Sequence, residues 1–144
     1  MVLEIENMGY VDIREATVLK YKYGDITNNE MYEDFKAEIK IVARERVLNN
    51  NKYLVVGLQL LKGNLLTNLV VHPDYRGRGI GRKLIKKALG YLRNRTGFCY
   101  CDDSNTAIKY ILTKYFNAEV VDRFEGREKS LVIMYKIRDT DEDD

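Results

Sequence analysis

Residues 65–93 read LLTNLVVHPDYRGRGIGRKLIKKALGYLR, which predicts a strand, a loop and a helix in succession. The run Leu65–Val71 is largely apolar and predicts a buried strand, which ends at Pro73 because proline cannot extend a central strand. Residues Gly81–Arg93 carry apolar side chains at helical spacing, which predicts an amphipathic helix with a basic outer face. Together with the strands and helices predicted on either side, this segment favours an α/β or α+β fold with a mixed sheet.

The predicted loop carries glycines at positions 77, 79 and 81, and such a loop is suited to binding an anion. Glycine lets the backbone approach a ligand closely, and the first amides of a helix have no intrahelical partner. The helix dipole favours negative charge there, and guanidinium groups add charge-assisted hydrogen bonds to phosphate oxygens. Three arginines lie in this region: Arg76, Arg78 and Arg82.

The glycine spacing excludes the two commonest phosphate motifs. A P-loop ends in Gly-Lys-Ser/Thr, whereas here Gly81 is followed by Arg82 and Lys83. A dinucleotide fingerprint reads G-x-G-x-x-G, whereas these glycines read G-x-G-x-G. The spacing matches Arg/Gln-x-x-Gly-x-Gly/Ala, in the form RGRGIG at Arg76–Gly81. With its flanks over residues 69–85, this segment closely resembles the acetyl-CoA-binding motif of the GNAT superfamily of N-acetyltransferases.

Two weaker likenesses extend the resemblance over about residues 11–137 of the chain. Residues Ile13–Thr17 resemble the first strand of the family, and Asn105–Ala107 resembles the start of the helix after its fifth strand. The resemblance implies an α/β (α+β) fold with a mixed, mostly antiparallel central sheet flanked by helices. We expect a single acetyltransferase-like domain over residues 1–138 and an acidic, disordered tail over 139–144, which has nothing to bury.

The resemblance also implies a cofactor site and a reaction. In this family the backbone of the fourth strand pairs with the pantetheine arm of acetyl-CoA, and the amides of the loop and helix start hold its pyrophosphate. An asparagine of the next helix often contacts the pantetheine or phosphate end. The matching residues here are Leu69, Val70, Val71, Arg76, Gly77, Arg78, Gly79, Ile80, Gly81, Arg82 and Asn105. In the implied reaction a primary amine attacks the thioester directly, while a backbone amide near Val71 polarises the carbonyl.

Candidate proton-transfer residues follow from the same resemblance. Many family members place a tyrosine seven residues after that asparagine as the acid for the leaving thiolate, but this chain has Leu112 there. Tyr115 shares the helical face of Asn105 one turn further on, so it is a candidate general acid; the alternative is a core aromatic residue. Asp102 and Asp103 end the predicted fifth strand and are candidate general bases, or they cap the next helix.

The remaining reactive residue types do not predict a metal or disulfide site. His72 is the only histidine and precedes Pro73, so we interpret it as a structural residue of the loop. Cys99 and Cys101 are two residues apart on a predicted strand, where a disulfide would strain the backbone. Their spacing is not a zinc pattern, and free thiols favour the reducing cytoplasm. One of them near the thioester would allow a covalent acetyl-cysteine, which is an alternative to direct attack.

Composition and charge restrict the class of protein. Of the 144 residues 45% are hydrophobic and 32% charged, which excludes intrinsic disorder as the main state. No apolar run approaches the length of a membrane span, and no secretory leader is visible, so no membrane partner is expected. The net charge of +2 includes five acids in the last six residues; without them 24 basic residues face 17 acidic ones, a net charge of +7. A basic body favours an anionic partner.

Periodicity and turn signals predict the remaining elements. A strand is expected at Tyr10–Glu15 and a helix from Asn28 or Asn29, whose helical spacing runs through Ile39 and Val42. Residues 41–48 either continue that helix or begin a strand. The other predictions are a turn at 49–51, a strand at Lys52–Leu61, a hairpin turn at 62–64, a helix break at Thr96-Gly97, a strand at 98–101, a helix from Ser104 or Asn105 to Tyr115, and closing strands at Ala118–Phe124 and Ser130–Ile137.

The sequence is compatible with two other functions. Leu112 in place of the expected tyrosine is compatible with a catalytically weak, CoA-binding regulatory module. The basic loop and helix over residues 76–95 are compatible with a nucleic-acid-binding protein. The amine acceptor (a protein, a peptide or a small molecule) has no readable motif, although a short, polar N-terminal part favours an open groove for a protein or peptide. A homodimer is likewise open.

Overall fold

The computed structural model describes residues 2–9, 12–23, 39–47, 52–126 and 129–140. These residues form one seven-stranded sheet with flanking helices. The strands are β1 Val2–Asn7, β2 Ile39–Val47, β3 Lys52–Lys62, β4 Leu65–Val71, β5 Thr96–Asp102, β6 Glu119–Glu125 and β7 Leu131–Arg138. The helices are α1 Ile13–Tyr23, α2 Ile80–Gly90 and α3 Thr106–Tyr115, with 3-10 turns at Pro73–Tyr75 and Arg93–Arg95.

The strand order is β1-β2-β3-β4-β5-β7-β6, and every neighbouring pair is antiparallel except β4 and β5. Two parallel neighbours need a crossover connection, and α2 provides it between β4 and β5. This arrangement confirms the predicted mixed, mostly antiparallel sheet flanked by helices.

Helices pack on both faces of the sheet. Ile41 and Val42 are adjacent on β2 and fully buried, yet they belong to different apolar clusters, because successive side chains of a strand point to opposite faces. The cluster of Val42 includes Ala16 and Leu19 of α1. The cluster of Ile41 includes the inner faces of α2 and α3 and the C-cap residue of α3: Leu84, Ile85, Ala88, Leu89, Leu112 and Phe116. The helix that follows β4 is therefore fixed to the sheet along its whole apolar stripe.

The prediction of a strand at Tyr10–Glu15 is wrong, because α1 begins at Ile13. Asp12 lies just before the helix and is buried, with its Oδ2 2.6 Å from Nη2 of Arg44 on β2. A carboxylate at this place favours a helix start. Ala16 and Leu19 then lie three residues apart and are both buried, so helical spacing prevails over an alternation that is too short to define a strand.

The likeness of Ile13–Thr17 to the first strand of the GNAT family is wrong for the same reason. The first strand is β1, Val2–Asn7, which pairs with β2 in antiparallel register from Val2↔Arg46 to Asn7↔Ile41. The expected helix from Asn28 or Asn29 lies outside the described residues up to position 38. Ile39 and Val42 lie on β2 and not on that helix, so the strand alternative for this region is confirmed.

The amphipathic helix is confirmed but ends earlier than expected, at Gly90 and not at Arg93. Thr96 and Gly97 belong to β5, so the predicted helix break at these residues is wrong. Gly97 serves packing: a Cβ there would lie 2.8 Å from Cδ1 of Leu92 and 2.9 Å from Cδ1 of Leu66. A glycine that permits close approach and a glycine that ends a helix cannot be told apart from the sequence alone.

The other elements lie close to their predicted bounds: β3, β4, β6, β7 and α3, which starts at Asn105 as its N-cap. The predicted turn at 49–51 falls outside the described residues. Asp139, assigned by its charge to the tail, is buried, and its amide donates to the carbonyl of Arg95 at 3.0 Å. Residues 141–144 lie outside the described residues. No helix in the described part of the chain is long and apolar enough to cross a membrane.

Candidate active site

Strands β4 and β5 separate after a short stretch of pairing. Their parallel register covers only Leu65↔Phe98 and Leu66↔Cys99. Beyond these residues β4 continues on β3 as far as Val71, and β5 continues on β7 as far as Asp102. The facing edges of the two strands therefore do not pair with each other toward their C-terminal ends. Such a gap offers backbone donors and acceptors to a ligand that lies between the strands.

A β-bulge on β4 coincides with this separation. Leu58 opposes Val70 and Leu60 opposes Thr67, so three steps along β4 match two along β3, and β4 has one extra residue. The side-chain amide of Gln59 donates to the carbonyl of Thr67 at 2.8 Å and to that of Leu60 at 3.0 Å. Gln59 is only 1% exposed, so this polar side chain fixes the bulge from within the sheet. Its presence in an otherwise apolar strand was the one signal in the sequence.

The loop after β4 is held by hydrogen bonds within the loop and to the neighbouring strands. The amide of His72 donates to the carbonyl of Val56 at 2.8 Å, and Nδ1 of His72 accepts from the amide of Asp74 at 3.1 Å. Tyr75 donates its hydroxyl to Glu45 on β2, and Nε of Arg76 donates to the carbonyl of Val71 at 3.1 Å. These contacts fit the structural role expected of the histidine.

The three glycines of the loop serve two different purposes. Gly77 and Gly79 have φ angles of +78° and +80°, and no atom of the described residues lies within 4 Å of a Cβ built on either, so the backbone conformation, and not a lack of space, requires glycine there. Gly81 is crowded instead, because a Cβ there would lie 3.3 Å from Cδ1 of Ile111 and 3.7 Å from Cδ2 of Leu69. It lets the first turn of α2 pack closely against β4 and α3.

The N-terminus of α2 presents free amides at the end of this loop. Gly79 is the N-cap and provides no side-chain cap, and the first helical hydrogen bond runs from the amide of Lys83 to the carbonyl of Gly79 at 3.1 Å. The amides of residues 80–82 therefore have no intrahelical partner. Arg76 and Arg78 are exposed beside them. This is the geometry of an anion site, and it fits the diphosphate of CoA.

The residues after β5 that were predicted to act in proton transfer are held by local contacts. Asp102 accepts hydrogen bonds from the amide of Ser104 at 2.9 Å and from its hydroxyl at 2.7 Å, and these hold the pKa of Asp102 below its usual value. Asp103 lies 2.7 Å from Nζ of Lys109, a hydrogen bond that raises the pKa of the lysine. Asn105 caps α3 through its Oδ1, which accepts from the amide of Ile108 at 3.2 Å.

The tyrosines of α3 differ in their surroundings. Tyr110 is exposed, and its hydroxyl accepts a hydrogen bond from Nζ of Lys114 at 2.7 Å. Tyr115 is half-buried against the core on the same side of α3 as Leu112, which is fully buried. The guanidinium carbon of Arg82 lies 4.0 Å from the ring centroid of Tyr115. The sequence gives no signal for this contact, because it depends on how α2 and α3 pack.

Cys99 and Cys101 are free thiols. Burial raises the pKa of Cys99 to about 12 and that of Cys101 to about 11. Since the thiolate is the nucleophile, neither residue is activated at neutral pH, which disfavours a covalent acetyl-cysteine. Among the described residues no group of three or more His, Cys, Asp or Glu side chains is arranged to hold a metal ion.

Comparison with known proteins agrees with this geometry. Residues 25–112 match the model of the acetyltransferase (GNAT) family. The peptidyl-lysine N-acetyltransferase YjaB of Escherichia coli is 27% identical over 96 residues, which cover 62% of this chain and 65% of YjaB, just under two thirds of that relative.

Solved structures share the fold over nearly the whole chain. A GNAT acetyltransferase from Bacillus cereus superposes with a TM-score of 0.75 at 14% identity, over 98% of this chain and 100% of that one. A chain of the NatC complex bound to Gag peptide and CoA gives a TM-score of 0.73 at 15% identity, over 97% and 100%. The family match covers more than half of the chain, and the chain therefore belongs to the GNAT acetyltransferase family, which confirms the predicted family.

Proposed function

We propose that this protein transfers the acetyl group of acetyl-CoA to a primary amine by direct attack of the amine on the thioester. The observation that carries the proposal is the gap between β4 and β5, which leads directly to the free amides at the N-terminus of α2. A pantetheine arm is long, thin and amide-containing, so it fits between two strand edges with unused backbone groups. The diphosphate fits the glycine loop and the helix start.

Each part of the site then has a role. The backbone of Leu69, Val70 and Val71 along the bulged edge of β4 binds the pantetheine arm. The loop Arg76–Gly81 and the first turn of α2, including Arg82, bind the phosphates, and the side-chain amide nitrogen of Asn105 provides a further donor. Acetyl-CoA supplies the acetyl group in activated form, as a thioester. An amide near Val71 stabilises charge on the carbonyl oxygen during attack.

The amine must lose a proton, since a lysine side chain is mostly protonated at neutral pH. Asp102 and Asp103 lie at the C-terminal end of β5, where the gap is open, and we propose them as the acceptors of that proton. Asp102 has its carboxylate ordered by Ser104. Asp103 has Lys109 beside it, with Nζ 2.7 Å from its Oδ1.

We propose a lysine side chain of a protein or peptide as the acceptor class. The relative from Escherichia coli is by its name a peptidyl-lysine N-acetyltransferase. Tyr100 and Phe124 are each 41% exposed and meet edge to face, with 5.9 Å between ring centroids, on the sheet face opposite α2 and α3. Exposed aromatic side chains of this kind suit contact with a polypeptide.

The test is turnover with lysine-containing peptides. Release of free CoA thiol is followed over time, and the acetylated position is identified by mass spectrometry. The expected result is acetylation of lysine Nζ that depends on both acetyl-CoA and enzyme. Binding of acetyl-CoA with no turnover on peptides or on a broad panel of small amines would instead support the non-catalytic CoA-binding module, which the buried Leu112 favours.

A further inference from the structure

The contact between Arg82 and Tyr115 joins the phosphate loop to the end of α3. Arg82 is the third residue of α2, and Tyr115 is the last residue of α3. We propose that Tyr115 is a positioning residue, whose ring holds the guanidinium of Arg82 toward the phosphates of acetyl-CoA, and that it is not the proton donor to the leaving thiolate. The inference rests on the proposed function of the same site.

The guanidinium of Arg82 is available to bind a phosphate, and the ring of Tyr115 holds its side chain in place. Within the described part of the chain Arg82 makes no hydrogen bond and no ion pair, and its guanidinium carbon lies 4.0 Å from the ring centroid of Tyr115. A guanidinium is weakly hydrated and stacks well on aromatic rings, and a ring contact leaves its N–H groups available to an anion. The ring also restricts a long side chain that would otherwise lose much rotamer freedom on binding.

The position of Tyr115 agrees with this role. It lies ten residues after Asn105, about 15 Å further along the helix axis. This half of α3 packs on the first turn of α2, since a Cβ on Gly81 would lie 3.3 Å from Cδ1 of Ile111. Tyr115 therefore lies beside the start of α2, whereas the position expected for a proton donor holds Leu112, which is fully buried.

A second cation lies near the same ring. Nζ of Lys114 is 5.4 Å from the ring centroid of Tyr115 and 2.7 Å from the hydroxyl of Tyr110. Two cations around one aromatic ring, next to unpaired helix amides, concentrate positive potential at the surface. A phosphate group is the chemistry that this arrangement recognises, and CoA carries two kinds, the diphosphate and the 3′-phosphate.

The test compares Tyr115→Phe and Tyr115→Leu with three acetyl donors. Acetyl-CoA carries both kinds of phosphate, acetyl-dephospho-CoA lacks the 3′-phosphate, and S-acetylpantetheine lacks all phosphates. Tyr115→Leu is expected to raise the KM for acetyl-CoA about three- to tenfold with kcat changed less than twofold, because it removes a cation–π contact. Tyr115→Phe keeps the ring and should restore the KM.

The donors locate the effect. With S-acetylpantetheine the Tyr115→Leu and wild-type proteins should be equal, and Arg82→Gln should abolish any further effect of Tyr115→Leu on acetyl-CoA. If the effect persists with acetyl-dephospho-CoA, the diphosphate is the group that Arg82 binds; if it disappears, the 3′-phosphate is. Tyr91→Leu, which alters an exposed tyrosine at the other end of α2, is the matched control and should leave KM unchanged.

Two results would overturn the inference. A tenfold or larger loss of kcat in Tyr115→Phe, with KM unchanged, would make the hydroxyl the proton donor. An equal loss of kcat/KM in Tyr115→Leu with acetyl-CoA and with S-acetylpantetheine would show that the ring has a purely structural role. Calorimetric titration of the wild-type protein with CoA distinguishes these two results from a failure of the proposed function. If the proposed function is wrong, CoA does not bind at all.

Discussion

The two strand–loop–helix units of the site, β4–α2 and β5–α3, differ in how they perform their roles. In β4–α2 the groups that we propose to bind acetyl-CoA are backbone amides, placed by the bulge at β4 and by the positive φ angles of Gly77 and Gly79. In β5–α3 the proposed roles depend on side chains. Asp102 and Asp103 are held by neighbours in the same unit, Ser104 and Lys109, whereas the ring of Tyr115 meets Arg82 of α2. The glycine loop and helix start of the proposed cofactor site therefore follow from local backbone restrictions, whereas the contact of Tyr115 depends on how two helices pack.

The largest effect should come from the backbone unit. Gly79→Glu places a side chain at a φ of +80° and adds negative charge at the site that we propose for the diphosphate, so acetyl-CoA binding should fall at least a hundredfold. Calorimetric titration measures it. Gly90→Glu is the matched control, because Gly90 lies at the far end of α2 and a Cβ there meets no atom of the described residues within 4 Å. Equal weakening in both variants would show that the loop is not the binding site.

A smaller effect is expected in the side-chain unit. Asp102→Asn keeps an acceptor for the amide of Ser104 but removes the charge, so the fold should be retained while kcat/KM falls about a hundredfold, the usual range for lost acid–base catalysis. Steady-state kinetics and a melting curve check both parts. Unchanged kcat with unchanged stability would leave Asp102 only the local role of accepting hydrogen bonds from Ser104.

The bulge can be tested on its two polar side chains. Gln59→Leu removes the donor to the carbonyl of Thr67 and should cost about 1–3 kcal/mol of unfolding free energy, with weaker acetyl-CoA binding. Thr67→Val is the matched control: the Oγ1 of Thr67 is buried and has no hydrogen-bond partner among the described residues, so its removal should be neutral or stabilising. Urea unfolding distinguishes them, and a destabilised Thr67→Val would contradict this description of the bulge.

The smallest effect concerns the cysteines. Their pKa values are raised to about 12 at Cys99 and about 11 at Cys101, above the ordinary value of 9.0, so folding favours the protonated thiols. That contribution is complete below about pH 9 and declines above it, because the unfolded chain ionises first. Melting curves from pH 8 to 10.5 should show a shallower decline in a Cys99→Val, Cys101→Val variant than in the wild-type protein. Parallel declines would mean that burial does not hold these thiols protonated.

The same contrast explains what the sequence could predict. Pro73 marks the end of β4, and the three glycines mark the start of α2, through backbone restrictions of their own. This part of the site could therefore be predicted from the sequence. The bulge on β4 could not be predicted from the sequence, because it exists only in the register with β3. Gln59 showed only that the apolar run contains a polar residue. The Arg82–Tyr115 contact needed the distance between two helices, which no local pattern contains.

The errors at the N-terminal part have a related cause. The strand expected at Tyr10–Glu15 and the helical spacing through Ile39 and Val42 were both local patterns that packing overruled. Ile41, Val42 and Ala43 are all fully buried, because both faces of β2 are covered, and such a strand loses the alternation that would identify it. Helical and buried-strand patterns then look alike.

The most direct measurement is the melting temperature of the full chain with and without saturating acetyl-CoA. If the gap between β4 and β5 and the loop after β4 hold this ligand, a concentration 100 times the Kd should add about 2.7 kcal/mol to the unfolding free energy and raise Tm clearly. S-acetylpantetheine, without phosphates, should raise it less. An unchanged Tm at millimolar acetyl-CoA would contradict the assignment of the gap and the glycine loop as the cofactor site.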